Sequence, residues 1–162
     1  STLGKGTTFR LYLPATDKKL LPARVEAETI TTGQGRVLVM DDEETIRTTM
    51  RDILVRLGYE VAFAEDGAEA IELYANAMDK RGTPFDAVIM DLTIAGGMGG
   101  REAVKKLIEI DPNVKAIVSS GYSKDPVMAE YKQHGFRGVI AKPFRIKDLS
   151  EVVHRVINGP AS

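Results

Sequence analysis

The chain has 162 residues, with 22 Lys and Arg against 23 Asp and Glu, no cysteine, no tryptophan and 43% hydrophobic residues. This length suits one domain of ordinary size, because two domains would each bury little apolar surface. The lack of cysteine excludes a disulfide framework, cysteine-based metal sites and thiol catalysis, and fits a reducing, cytoplasmic location. No apolar run reaches the length of a membrane span, and a net charge of −1 creates no field that attracts nucleic acid. We therefore expect neither nucleic acid nor a membrane as a partner of this chain.

The first 35 residues differ in pattern from the rest. Residues Thr8–Leu13 alternate in polarity as a strand does, and Pro14 closes the stretch. This single strand has no predicted partner. Residues 14–35 are rich in polar and turn residues and end in Thr-Thr-Gly-Gln-Gly, which is typical of a linker.

From Arg36 onward, five short apolar runs alternate with segments of helical spacing. The runs are Val37–Met40, Tyr59–Ala64, Ala87–Met90, Val114–Val118 and Gly138–Ala141. Almost wholly apolar strands are typical of a parallel sheet that is covered by helices on both faces. Asp125-Pro126 predicts the start of a fourth, shorter helix that runs towards Gly135. The pattern predicts an α/β domain over residues 36–159, with a (βα)5 doubly wound, five-stranded parallel sheet.

Polar residues stand where the predicted strands stop. They are Asp41-Asp42 after the first strand, Asp91 after the third, Ser119-Ser120 after the fourth and Lys142 after the fifth. The first and third strands should be neighbours, so the carboxylates of Asp42 and Asp91 would face each other and repel. A divalent cation relieves this repulsion, and a site with few protein ligands favours Mg²⁺.

With a metal bound, one carboxylate can attack a phosphoryl group, as in enzymes that form aspartyl phosphates. Asp91 is the best candidate nucleophile because it is central in the predicted sheet. Lys142 would neutralise the incoming charge, and the hydroxyl of Ser120 would donate a hydrogen bond to a phosphoryl oxygen.

Four runs in this chain resemble the signatures of response-regulator receiver domains, which have a flavodoxin-like fold. The runs are Val-Leu-Val-Met-Asp-Asp-Glu at 37–43, Val-Ile-Met-Asp at 88–91, Ser-Ser-Gly at 119–121 and Lys-Pro-Phe at 142–144. The resemblance covers about three quarters of the chain. It implies a role in two-component phosphorelay signalling, in which Asp91 accepts a phosphoryl group from a phosphohistidine and becomes the modified residue of a phosphoprotein.

The resemblance also implies the other members of the site. Asp42 would bind Mg²⁺ directly, Asp41 would assist through water, and the backbone carbonyl of Thr93 would complete the metal site. Ser120, rather than Ser119, falls on the family's hydroxyl position. Lys142 falls on its lysine position, followed by a cis bond to Pro143.

The opening residues carry a second resemblance. Gly-Lys-Gly-Thr-Thr-Phe at 4–9, with the alternation that ends at Leu13-Pro14, resembles the last conserved stretch of a histidine-kinase ATP-binding domain. This layout is similar to that of a bacterial hybrid histidine kinase, with a kinase remnant at 1–13, a linker at 14–35 and a receiver at 36–159. The implied partners are the phosphohistidine domain of a kinase, in the same or another chain, and a histidine phosphotransfer protein. We expect this fragment to have no kinase activity of its own, and the parent kinase to be the enzyme.

Three features depart from the usual receiver pattern. Ala95 replaces a proline, and Gly96-Gly97 adds a residue to the loop after Asp91, which predicts a more mobile loop. Val139 stands where many receivers carry an aromatic switch residue. Tyr122 could serve as an aromatic reporter instead, although an ordinary half-buried loop tyrosine is the simpler interpretation.

Three other functions compete with a phosphoacceptor. A Mg²⁺-dependent phosphohydrolase with an aspartyl nucleophile is the main alternative, but such enzymes place a second Asp two residues on, where this chain has Thr93. A flavin or nucleotide module needs phosphate-binding glycines or hydroxyls after the first strand, and the acids at 41–44 would repel phosphate there. A degenerate receiver that only binds partners would not need all three acids and Lys142.

Overall fold

The computed structural model describes residues 4, 6–14, 30–79, 82–121 and 125–159. The strands are β1 Arg36–Met40, β2 Glu60–Ala64, β3 Ala87–Asp91, β4 Ala116–Ser120 and β5 Gly138–Ala141. The helices are α1 Glu44–Arg56, α2 Gly67–Met78, α3 Gly100–Ile110, α4 Pro126–Ala129 and α5 Ile146–Asn158, with a 3₁₀ turn at Tyr131–His134. In the part of the chain that the structure describes, no helix combines the length and apolar character needed to cross a bilayer.

The five strands form one parallel sheet in the order β2-β1-β3-β4-β5. This arrangement confirms the predicted (βα)5 doubly wound fold. The three central strands are buried on both faces because side chains alternate between two cores. One core packs Val39, Ile89 and Ile117 against α1 and α5. The other packs Val88 and Val118 against α2, α3 and α4.

The helix after β4 is shorter than the pattern predicts. Asp125 caps it by accepting a hydrogen bond from the N–H of Val127 at 2.8 Å, as expected for a residue before a first-turn proline. The α-helix then stops at Ala129, and a 3₁₀ turn continues the chain to Gly135, which has a φ of 90°. The left-handed conformation at Gly135 is one that other residues rarely adopt, so the turn ends there.

Strand β4 begins two residues later than predicted and includes both serines. Val114 is buried, but its N–H donates to the carbonyl of Asp111 and closes a turn instead of joining the sheet. An apolar residue that packs into the core from a turn looks like a strand residue in the sequence. At its other end β4 includes Ser119 and Ser120, which were predicted to follow it, because they pair with Asp91 and Ala141 of the neighbouring strands.

The strand predicted over Thr8–Leu13 is wrong. Residues 7–14 have neither helix nor strand, and Phe9 is 91% exposed. A lone strand has no neighbour to satisfy its backbone groups, so alternation alone does not hold it extended in a sheet.

The end of the predicted linker packs on the domain. The N–H of Gly33 donates to the carbonyl of Leu57 at 2.9 Å, and the carbonyl of Gly35 accepts from Glu60 at 2.9 Å. A Cβ atom at residue 33 would overlap the hydroxyl of Tyr59, so any other residue there would force the Tyr59 ring to move. Residues 33–35 are therefore anchored at the edge of the sheet opposite Asp91.

The Tyr74–Asp111 hydrogen bond joins α2 to the end of α3 at 2.8 Å. Burial, this hydrogen bond and the charge of Asp111 all raise the pKa of Tyr74 above its ordinary value of 10.0. Tyr74→Phe should lower the free energy of unfolding at pH 7 by about 1 kcal/mol, because only the hydrogen bond is lost.

The stability difference between the wild type and Tyr74→Phe should shrink as the pH rises through about 10. Above this pH Tyr74 is ionised in the unfolded wild type but not in the folded wild type, which lowers the stability of the wild type alone. Urea unfolding between pH 7 and 11 measures the difference. Tyr12→Phe, at an exposed position, is the matched control, with a difference near zero throughout. A deficit for Tyr74→Phe that stays constant with pH would contradict the assigned hydrogen bond.

Candidate functional site

Three carboxylates meet at the carboxyl edge of the sheet. Asp41 follows β1, Asp91 ends β3, and these strands are hydrogen-bonded neighbours. One carboxylate oxygen from each of Asp41, Asp42 and Asp91 lies within 4.8 Å of the others. Asp41 is 2% exposed and Asp91 is 9% exposed, whereas Asp42 is exposed to solvent. The cluster therefore runs from the interior to the surface, and the acids predicted from the sequence do come together.

Lys142 reaches this cluster from the end of β5. Its Nζ atom lies 2.6 Å from Oδ2 of Asp41 and 2.6 Å from Oδ2 of Asp91. Burial alone would lower the pKa of Lys142, but the hydrogen bonds and the charges of the two carboxylates outweigh it and raise the pKa above 10.5. Lys142 is therefore a cation at neutral pH and offsets part of the repulsion among the acids.

Each polar group of Asp41 has a protein partner. Its N–H donates to Ala64 O at 3.1 Å, and its Oδ1 accepts from the N–H of Glu43 at 3.0 Å. Its carbonyl accepts from Arg47 at 2.6 Å, and its Oδ2 binds Lys142. Asp41 is thus held in place behind Asp42 and Asp91, which face the pocket.

The loop between β3 and α3 contacts Asp42 and Asp91 through its backbone N–H groups. The N–H of Thr93 donates to Oδ1 of Asp91 at 3.2 Å, and the N–H of Ala95 lies 3.4 Å from Oδ2 of Asp42. A proline at position 95 could not make the second contact, because it has no N–H. A pocket of ≈ 390 Å³ opens here, lined by Asp42, Glu43, Asp91, Thr93, Ala95, Ser120, Gly121 and Lys142.

Glycines in this loop and at the start of α3 stand where a side chain would not fit or where the backbone is left-handed. Gly96 adopts a φ of 73°, and a Cβ atom on Gly99 would lie 2.5 Å from the carbonyl oxygen of Leu92. A Cβ atom on Gly100 would lie 2.7 Å from the carbonyl oxygen of Asp91. The lack of side chains at 99 and 100 lets the loop turn back closely over the end of β3. The greater mobility expected of this loop stays a prediction.

The remaining site residues occupy different surroundings. Ser119 and Ser120 are both buried, but Ser120 lines the pocket and Ser119 does not. The peptide bond between Lys142 and Pro143 is cis, as the receiver resemblance implies. Val139 packs against the core beside α4. Tyr122 lies outside the described residues.

Arg47 is a site neighbour that the sequence analysis missed. Its guanidinium donates to the carbonyl of Asp41 and pairs with Glu65 at 2.9 Å, and its side chain is 13% exposed. Arg47 stands three residues before the buried Met50 on α1, so helical spacing could have placed it towards the sheet. It ties the segment after β1 to the segment after β2.

Comparison with known proteins decides the family. Residues 37–154 match the model of the response regulator receiver domain. The chain belongs to this family. It is 38% identical over 122 residues to the chemotaxis protein CheY of Thermotoga maritima, a match that covers 75% of this chain and 96% of CheY. It is also 31% identical to the sensor kinase CckA of Brucella abortus, over 97% of this chain but only 17% of CckA.

Solved structures agree with this receiver fold. The magnesium-bound receiver domain of the sensor histidine kinase PA1611 from Pseudomonas aeruginosa superposes with a TM-score of 0.66, at 23% identity, over 77% of this chain and 98% of that chain. CheY in the CheX–CheY–BeF3–Mg complex of Borrelia burgdorferi superposes with a TM-score of 0.68, at 25% identity, over 75% of this chain and 88% of that chain. As a receiver domain, the chain functions in two-component signalling, so neither the phosphohydrolase nor the nucleotide-module alternative is retained.

Replacing Lys142 tests the electrostatics of the receiver pocket. Lys142→Met leaves buried acids without their cation and should lower the free energy of unfolding in EDTA by about 3 kcal/mol. Added Mg²⁺ should stabilise the variant more than the wild type, because the pocket is more negative. Urea unfolding with EDTA or Mg²⁺ measures both effects, with Lys105→Met on the exposed side of α3 as control. Equal stability of wild type and Lys142→Met in EDTA would contradict the ion pairs described here.

Proposed function

We propose that Asp91 is the phosphoacceptor of this receiver domain and that it takes a phosphoryl group from a phosphohistidine in a Mg²⁺-dependent reaction. The observation that carries the proposal is the position of the Asp91 carboxylate, which lines an open pocket while Lys142 Nζ lies 2.6 Å from its Oδ2. Asp91 lines the open pocket and is paired with the Lys142 ammonium, whereas Asp41 is buried and does not line the pocket.

The residues of the pocket fit Mg²⁺. Their donor set is hard oxygen, and three carboxylates face a single lysine charge, so a divalent cation balances the site. Asp42, Asp91 and the backbone carbonyl of Thr93 would hold the ion, and Asp41 would act through water because it is buried behind the two acids that line the pocket. When bound, Mg²⁺ supplies positive charge that stabilises the phosphoryl oxygens during transfer.

The pocket residues have distinct parts in the transfer. An oxygen of Asp91 attacks the phosphorus in line, a P–O bond forms, and the P–N bond of the phosphohistidine breaks with its electron pair returning to the imidazole nitrogen. Lys142 offsets the repulsion between the Asp91 carboxylate and the negatively charged oxygens of the incoming phosphoryl group. The hydroxyl of Ser120, which lines the same pocket, donates to a phosphoryl oxygen.

We place this receiver in a hybrid histidine kinase. The similarity to CckA extends over 97% of this chain, beyond the receiver match that begins at residue 37. This supports a kinase remnant at 1–13, a linker at 14–35 and a receiver at 36–159, in a cytoplasmic part of the parent protein. The phosphohistidine domain of a kinase is then the donor, a histidine phosphotransfer protein is a candidate recipient, and kinase activity resides in the parent chain.

Asp91→Asn should abolish phosphorylation. With Mg²⁺ and acetyl phosphate, the wild type should gain one acid-stable, base-labile phosphoryl group, because an acyl phosphate forms on a carboxylate. Intact mass spectrometry followed by mapping of the modified residue measures this. Asp52→Asn, at an exposed position on α1, should label like the wild type. Label that persists in Asp91→Asn would refute the assignment.

Removing the metal or its ligand should slow labelling without preventing folding. Asp42→Asn weakens Mg²⁺ binding because a carboxylate ligand becomes a neutral amide, and the initial rate should fall at least about tenfold at limiting Mg²⁺. EDTA should reduce the wild-type rate further. Titration calorimetry gives the Mg²⁺ affinity of both proteins. Unchanged labelling and affinity in Asp42→Asn would remove Asp42 from the metal site.

A further inference from the structure

Ser119 is a buried residue of β4, the strand that lies between β3, which ends at Asp91, and β5, which precedes Lys142. In the sheet register Ser119 pairs with Asp91 on one side and with Ile140 on the other. Ile117 and Ile140 both face the core beside α1 and α5. Because side chains alternate along a strand, Ser119 lies on that same face. Lys142 follows β5 and its Nζ contacts Asp91 at the end of β3, so its side chain must pass the carboxyl end of β4, which Ser119 and Ser120 form.

The Ser119 hydroxyl is buried without a hydrogen bond. Ser119 is 1% exposed, and its Oγ has no partner within the described part of the chain. A buried, unpaired hydroxyl is destabilising. Ser150 offers a direct contrast, because it is equally buried but its Oγ donates to the carbonyl of Lys147 at 2.8 Å. Packing alone would therefore favour alanine at position 119 and serine at position 150.

We propose that Ser119 is a positioning residue for Lys142 during phosphoryl transfer. The Lys142 ammonium has three N–H groups, and two of them bind Asp41 and Asp91 before transfer. Phosphorylation removes the carboxylate charge of Asp91, so one of these N–H groups turns to the phosphoryl group. The Ser119 hydroxyl then accepts the third N–H and holds the ammonium over β4. This inference rests on the proposed phosphoacceptor role of Asp91.

Four variants test the inference. Ser119→Ala should lower the initial rate of labelling by acetyl phosphate about tenfold, the effect of one hydrogen bond to a charged group. Its resistance to urea should equal or exceed that of the wild type, and its Mg²⁺ affinity should be unchanged. Ser119→Val should label as slowly as Ser119→Ala, whereas Ser119→Thr, which keeps the hydroxyl, should label within about twofold of the wild type. Ser150→Ala should lose stability and label normally.

The outcomes separate this inference from the proposed function. Label that persists in Asp91→Asn would defeat the proposed function and this inference together. With Asp91 confirmed, a wild-type labelling rate in Ser119→Ala would overturn the role of Ser119 alone. A stability loss like that of Ser150→Ala, a weakened Mg²⁺ affinity or slow labelling by a folded Ser119→Thr would likewise assign Ser119 a purely structural role.

Discussion

Repulsion among three carboxylates, offset in part by one lysine, governs the functional edge of this receiver domain. Asp41 and Asp91 are held at the ends of adjacent buried strands, so neither can move away from the other. Lys142 Nζ contacts both carboxylates at 2.6 Å and supplies one positive charge. The charge that remains makes the pocket receptive to a divalent cation and then to a phosphoryl group.

The sheet makes this arrangement possible for residues that are far apart in the chain. Parallel strands bring their carboxyl ends to one edge, and the central position of β1 and β3 buries the backbone that carries the acids. A slip of one residue in β3 would turn Asp91 into the core beside α2 and α3 and expose a hydrophobic side chain in its place. The apolar runs before Asp41 and Asp91 therefore fix the site as well as the fold.

The sequence was sufficient to predict the sheet and the convergence of the acids, because apolar runs and their terminal residues are local signals. It misplaced the start of β4, since Val114 reaches the core from a turn. It also placed Ser119 and Ser120 in a loop after β4. The rule that successive side chains point to opposite faces of a strand could therefore not be applied to them. The contact of Lys142 with Asp41 depends on side-chain reach across strands, which spacing along the chain does not encode.

A double-mutant cycle between Lys142 and Asp91 measures the central interaction most directly. The free energy of unfolding in EDTA is determined for the wild type, Lys142→Met, Asp91→Asn and the double variant. The structure predicts a coupling free energy above about 1 kcal/mol, because each residue's effect depends on the other's charge. Additive effects, with a coupling free energy below about 0.3 kcal/mol, would contradict the ion pair on which this account of the site depends.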